Sequence, residues 1–159
     1  RLAAGRPPAI FRAMRTSAAL DVPVAETTIT VRSPEIDSFG HANHAVFLHY
    51  FEHARYEALE AAGFRWPLLQ ENDWQIYVVR IEVDYLAQAR RGDTLRVRTW
   101  ADSFRRTSMV LAQEMVRDDG PEGPTVVARA RVHAVWIGPD RKPMRVPELV
   151  RAGLTGGSA

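Results

Sequence analysis

The hydrophobic period of this chain changes once, and that change limits the folds open to it. From about Ala45, the residues Phe47, Tyr50, Phe51, Ala54, Ala58, Ala61 and Ala62 recur at three- and four-residue intervals. That spacing places them on one stripe of a helix of four to five turns. Asn43 precedes the stripe as a plausible N-cap, and Gly63 follows it where a left-handed residue ends a helix. From Gln75 the period drops to two. Tyr77, Val79, Ile81, Val83 and Tyr85 then fall on one face of 75–85, and Leu95, Val97 and Thr99 alternate with Arg96, Arg98 and Trp100 across 94–104. The segment 107–117 alternates likewise, and Val126, Ala128, Ala130, Val132, Ala134 and Trp136 share a face of 125–137. Gly92-Asp93 and Asp119-Gly120 mark turns between these runs.

A shorter β-branched run, Thr27 to Val31, comes before the helix and is broken by Ser33-Pro34. The order is therefore strand, long helix, and four long strands joined by short turns. Such strands pair antiparallel, and the helix must bury its stripe against their sheet. The expected fold is α+β, a curved antiparallel β-sheet wrapped around one long central α-helix. Pro147 can open a short terminal helix.

A length of 159 residues suits one domain. The expected domain runs over 27–152, with 153–159 as a flexible tail. Residues 1–26 differ from the rest: Arg1, Arg6, Arg12 and Arg15 are interspersed with alanine, and no acidic residue precedes Asp21. That composition resembles a transit peptide. A tail translated from upstream of a natural start at Met14 is the preferred reading, and the stretch is left out of the fold.

There is no cysteine, which excludes disulfides, a thiol nucleophile and thiolate metal sites and fits a cytoplasmic protein. No apolar run approaches the ~18 residues that cross a membrane, so no membrane association is expected. The net charge of +2 gives no case for nucleic acid. Lys142 is the only lysine. Arginine suits phosphate recognition, although most arginines simply solvate a surface.

The loop before the helix carries the chemistry. It reads Glu35-Ile36-Asp37-Ser38-Phe39-Gly40-His41-Ala42-Asn43-His44, and Tyr50-Phe51-Glu52-His53-Ala54-Arg55 follows on the helix. This closely resembles the signature of the 4-hydroxybenzoyl-CoA thioesterase-like family of hotdog-fold proteins. Asp37, Gly40, His41, Asn43, Tyr50, Phe51, Glu52, Ala54 and Arg55 match its pattern. His44 stands where a second asparagine is usual and Phe47 where a tyrosine is usual.

The resemblance implies a hotdog fold and an acyl-CoA thioesterase that needs no cofactor, CoA being part of the substrate. It implies Asp37 as nucleophile or general base on water, and the backbone N–H of His44 as the group that polarises the thioester carbonyl. Gly40 would keep the loop close to the substrate. His41 and Asn43 would orient Asp37 or substrate, or else stabilise the loop and cap the helix. Family members form homodimers or homotetramers with joined sheets and sites between subunits. CoA phosphates then need cations, for which Arg90, Arg91, Arg105 and Arg106, together with Arg141 and Lys142, are candidates. The alternative is a non-catalytic acyl-CoA-binding or regulatory hotdog protein.

Other constellations are weaker. His49 and His53 have the i, i+4 spacing of zinc helices, but Tyr50 stands where the catalytic glutamate would follow, and no metal site is expected. Glu52 is read as an i, i+3 partner for Arg55, and His133 as a surface or interface residue. Phe64, Trp66, Trp74 and Tyr77 are read as ordinary core, with an acyl pocket as the alternative. No Gly-x-Ser-x-Gly elbow or phosphate-binding glycine loop occurs.

Overall fold

A computed structural model describes residues 23–119, 121 and 123–156. Strand β1 (Ala25–Thr30) leads through a tight turn at Ser33–Glu35 to helix α1 (His44–Ala61). After it come α2 (Trp66–Glu71), β2 (Gln75–Tyr85), β3 (Thr94–Phe104), β4 (Ser108–Asp118), β5 (Pro124–Ile137) and α3 (Glu148–Thr155). The sheet has the order β1-β3-β4-β5-β2, and every neighbouring pair is antiparallel. This is the expected α+β arrangement, with β1 and the much longer β2 at its edges.

Helix α1 lies against one face of the sheet. Phe47, Tyr50, Phe51, Ala54, Ala58 and Leu59 are its buried apolar residues. Its first half packs with Leu95, Val97, Met115, Ala128 and Ala130. Its end packs with Met109, Leu111 and Trp136, over which α3 closes through Val150 and Leu154. The small side chains of Ala54 and Ala58 bring the helix close to the strands. The stripe ends at Leu59 rather than running through Ala61, which is exposed.

A polar clamp crosses this core. Gln113 on β4 is wholly buried. Its amide donates to the Phe51 carbonyl and to Thr99 Oγ1, both at 2.9 Å, and its carbonyl accepts from Arg55 Nη1 at 3.1 Å. Arg55 is therefore turned inward, and Glu52 is exposed. This corrects the expected Glu52–Arg55 pair: the buried amide is a better partner for the guanidinium than a solvated carboxylate. Burial works against the charge of Arg55 and lowers its pKa, while the nearby Glu52 favours the charge.

The opposite face of the sheet accounts for several arginines. Arg96 and Arg98 flank Glu26, Arg129 meets Glu114 at 3.0 Å, and Arg131 meets Asp102 at 2.5 Å. These cross-strand pairs hold charge where a phosphate-binding surface would leave it open. His133 lies in the same layer, partly exposed, with Glu82 at 4.0 Å.

Two strand readings need correction. In β2 a register shift between Val78 and Arg80 breaks the alternation. Ile76 packs on the core before the shift and Val83 after it, while Tyr77 and Val79 are exposed. A bulge adds one residue and flips the phase of everything beyond it. A similar shift between Met115 and Val116 puts Val127, rather than Val126, in the core.

The ends also differ from expectation. β1 starts at Ala25, and α3 continues through Thr155 because Leu154 is buried. The folded region thus reaches past both 27 and 152. Apart from Pro23 to Glu26, the expected N-terminal extension lies outside the described residues.

Candidate active site

The loop between β1 and α1 is held from beneath by Glu35. This carboxylate is only 9% exposed, yet it is fully engaged. Oε2 accepts from the Tyr50 hydroxyl at 2.5 Å and from the Arg32 N–H at 2.7 Å. Oε1 accepts from Arg32 Nε at 2.9 Å and Nη2 at 2.6 Å. Burial pushes the Glu35 carboxyl up, but the hydrogen bonds from Arg32 and Tyr50 outweigh it and leave the carboxyl below its ordinary pKa. The same contact and burial push the Tyr50 hydroxyl well up, so it remains a donor. The Glu35 carbonyl accepts from Asn43 N at 2.9 Å, which ties this buried base to the start of the helix.

Above it the loop closes on itself. Asp37 N donates to the His41 carbonyl at 2.9 Å, and Gly40 N donates to the Asp37 carbonyl at 3.1 Å. Ile36 and Ala42 form an isolated antiparallel bridge. Gly40 has φ +78, a left-handed conformation that a side chain would strain. Asp37 Oδ1 accepts from Phe39 N at 2.8 Å and His41 N at 3.3 Å. Oδ2 has no protein donor among the described residues. One oxygen of the carboxylate is thus fixed by the loop.

Helix α1 begins at once after the loop. Asn43 is its N-cap, as expected: Oδ1 accepts from Ala45 N at 2.9 Å. The His44 N–H comes before the first intrahelical bond and takes no acceptor among the described residues. It carries the partial positive charge of a helix start. The His44 side chain is exposed. His41 meets Asp37 through its backbone, donating its N–H to Asp37 Oδ1 and accepting from Asp37 N.

The structure does not gather the four candidate arginines. Arg90 and Arg91 precede β3, where Arg90 N donates to Asp93 Oδ2 at 2.8 Å and Arg91 reaches Ser33 near the loop. Arg105 and Arg106 lie beyond the other end of β3. Eleven residues of strand separate the two groups, roughly 35 Å at the rise of an extended chain. The two groups therefore lie at opposite ends of β3.

Tyr85 went unrecognised in the sequence. It ends β2 beside the helix start, where its hydroxyl donates to the His44 carbonyl at 3.0 Å. Its ring meets Phe47 edge-on at 5.4 Å between centroids. Burial raises its pKa. Glu35 was likewise missed: Arg32-x-x-Glu35 signals a local ion pair, but not the burial that Tyr50 brings.

Asp37 itself is half-buried, with Phe39 82% exposed two residues away. A cavity of about 500 Å³ lies elsewhere, at the far end of α1. Leu59, Phe64 and Trp74 form its inner wall, and Tyr56, Trp66 and Leu69 its outer wall. Phe64 and Trp74 lie parallel at 6.2 Å between centroids. Of the four aromatics picked from the sequence, three border this cavity, while Tyr77 is exposed on the sheet edge.

The family model described as thioesterase-like superfamily matches residues 31–154. The chain belongs to the thioesterase-like superfamily. Within that superfamily it is 30% identical over 125 residues to the acyl-CoA thioester hydrolase YbgC of Escherichia coli O6:H1, covering 78% of this chain and 90% of the relative. It is 26% identical over 127 residues to the chloroplastic acyl-acyl carrier protein thioesterase ATL2 of Arabidopsis thaliana. That match covers 80% of this chain but only 66% of the plant protein. The solved 4-hydroxybenzoyl-CoA thioesterase of Pseudomonas sp. superposes with a TM-score of 0.75 at 18% identity, covering 82% of this chain and 98% of that one. The fold is the hotdog fold expected from the loop signature.

Proposed function

We propose that this protein hydrolyses acyl-CoA thioesters. The observation that carries the reading is the pairing, across seven residues, of the Asp37 carboxylate, whose Oδ2 takes no donor among the described residues, with the His44 N–H at the start of α1, which takes no acceptor among them. A thioester carbonyl oxygen that accepts from this N–H gains stabilisation as it becomes an oxyanion. Asp37 Oδ2 then either takes a proton from an attacking water or attacks the carbonyl carbon itself. The C–S bond breaks, CoA leaves as the thiolate, and water supplies the hydroxyl of the free acid. The YbgC relative, named as an acyl-CoA thioester hydrolase, supports the substrate class.

The site we propose is completed by a second copy. β2 is an 11-residue edge strand on which Tyr77, Val78, Val79 and Ile81 are all exposed. Such an edge invites pairing with another strand. Joining two β2 edges yields a homodimer with one continuous sheet, and it brings the partner beside the start of α1, which Tyr85 at the end of β2 touches.

The test is release of free thiol from a panel of acyl-CoAs. Asp37→Asn should lower kcat by at least ~10²-fold, the scale of lost acid–base chemistry, with the melting temperature preserved. Unchanged turnover in Asp37→Asn refutes the mechanism. Retained acyl-CoA binding without turnover in the wild type selects the non-catalytic alternative.

A further inference from the structure

The start of α1 is held by a side chain that comes from the sheet. We infer that Tyr85 is a positioning residue for the His44 N–H, fixing from β2 the direction in which that group meets a thioester carbonyl. This rests on the thioesterase reading above.

The hydrogen bonds on successive peptide planes separate what Tyr85 adds from what the loop supplies. The plane joining Ala42 to Asn43 is held by its N–H, which donates to the Glu35 carbonyl at 2.9 Å. In the next plane the Asn43 carbonyl accepts from Val46 N at 2.9 Å, and the His44 N–H takes no acceptor among the described residues. The plane after it joins His44 to Ala45. Its N–H donates to Asn43 Oδ1 at 2.9 Å, and its carbonyl accepts from the Tyr85 hydroxyl at 3.0 Å. The open N–H therefore sits between two pinned planes. Peptide units are rigid, so pinning the neighbours limits how far the open one can tilt. All of these partners but one lie within residues 35–46. Tyr85 arrives from 41 residues along the chain.

The local contacts move with the loop and the helix. They set the shape of the turn, and the sheet sets its place. Tyr85 is the last residue of β2 and pairs with Ala128 of β5. The two residues after it are tied to the same strand: Leu86 N and Ala87 N donate to the Val127 carbonyl at 2.9 and 3.1 Å. Farther on, the Ala89 carbonyl accepts from Ala42 N at 2.7 Å. The stretch from Tyr85 to Ala89 thus grips the helix start on both sides of Asn43, once through a side chain and once through backbone.

Tyrosine suits this task. Its hydroxyl is reached through only two side-chain torsions, so little freedom remains once the ring is packed. The Tyr85 ring packs edge-on against Phe47, which is itself buried. Burial raises the pKa of the phenol, so at neutral pH it keeps its proton and donates. An oxyanion donor works only if it is aimed where charge develops. A tilt of the His44 N–H therefore weakens the transition state more than it weakens substrate binding, and the loss falls on kcat rather than on KM.

Tyr85→Phe keeps the ring against Phe47 and removes only the hydroxyl. With butyryl-CoA and dodecanoyl-CoA alike it should lower kcat about 10-fold and leave KM within about twofold. That fall lies between the loss of one neutral hydrogen bond and the ~10²-fold cost of a ~1 Å misplacement. Tyr85→4-aminophenylalanine puts an N–H donor in place of the hydroxyl and should bring kcat back to within about threefold of wild type. Unchanged kcat in Tyr85→Phe overturns the assignment and leaves the thioesterase reading standing. So does a loss that comes with a matching rise in KM and is not recovered by the amino variant, the pattern of loosened packing alone.

The carbonyl is also read without turnover. A ketone analogue of butyryl-CoA, with CH2 in place of the thioester sulfur, cannot be hydrolysed. Its infrared carbonyl stretch should lie at lower frequency on the wild type than on Tyr85→Phe, because a well-aimed N–H polarises the carbonyl more strongly. The amino variant should restore the lower frequency. That pattern supports the role of Tyr85 even if every thioester proves inert, a result that would refute the thioesterase reading alone. The same frequency on wild type and Tyr85→Phe overturns the role.

Discussion

Replacing Tyr50 by phenylalanine removes one hydroxyl from beneath the Asp37 loop and changes almost nothing else. The ring is buried, and Phe fills the same space. What is lost is a 2.5 Å hydrogen bond to the Glu35 carboxylate. A bond to a charged group contributes about 1.5–3 kcal/mol. The lower part of that range applies, because Glu35 keeps three donors from Arg32. The expected cost is therefore about 1.5–2 kcal/mol, or a fall in melting temperature of about 3–8 °C for a chain of this size. Urea unfolding of both proteins at pH 7 measures it.

The loss should also depend on pH. The folded-state pKa of Glu35 is lowered, so the stability it contributes is fully present above its unfolded pKa of ~4.3. That stability is lost as pH falls through the lower folded value. Tyr50 is one cause of the depression, so the gap between wild type and variant should be widest at neutral pH and shrink in acid. A difference below ~0.5 kcal/mol at pH 7, or one that does not change on acidification, would refute the account of Glu35 as an ionised, doubly anchored base for the loop.

Three further outcomes can be measured. Gln113→Leu removes two neutral bonds and strands the Arg55 guanidinium, and it should cost about 3–4 kcal/mol in denaturant unfolding, much of it recovered by adding Arg55→Met. Gly40→Ala should cost about 1–2 kcal/mol from its left-handed backbone and lower kcat by displacing Asp37, as thiol release will show. Ile81→Asp places a charge on the open β2 edge and should leave a monomer by light scattering, with turnover lost alongside.

The helix and the four long strands were legible because each buries one face, and burial writes its period into the sequence. The bulge in β2 was not. Tyr77, Val78, Val79 and Ile81 are apolar on both sides of the shift, so alternation around Val78 and Arg80 carries no phase information. Among the loop residues, Asp37 and Gly40 stood out by resemblance to the family signature, and Asn43 also by its place just before the helical stripe. Asn43 caps as its residue type predicts, and Gly40 has the backbone that glycine permits. Glu35 escaped notice because a carboxylate beside an arginine normally reads as surface, and only the fold shows Tyr50 arriving fifteen residues later to bury it. Glu52 and Arg55 misled for the converse reason. Their spacing allowed a pair, but the competing partner, Gln113, is distant in sequence and invisible to any local pattern.

The grip of Gln113 on the middle of α1 has a wider consequence. A stripe of alanines and aromatics offers several nearly equivalent ways to seat a helix on a sheet, and a shift of one turn would carry the Asp37 loop with it. Holding the Phe51 carbonyl from within the core selects one seating and pins it halfway along the rod. Residues beyond the pin can then be exchanged, enlarging or shrinking the chamber near Trp74, while the opposite tip stays where it is. The two ends of α1 are thereby set independently of each other.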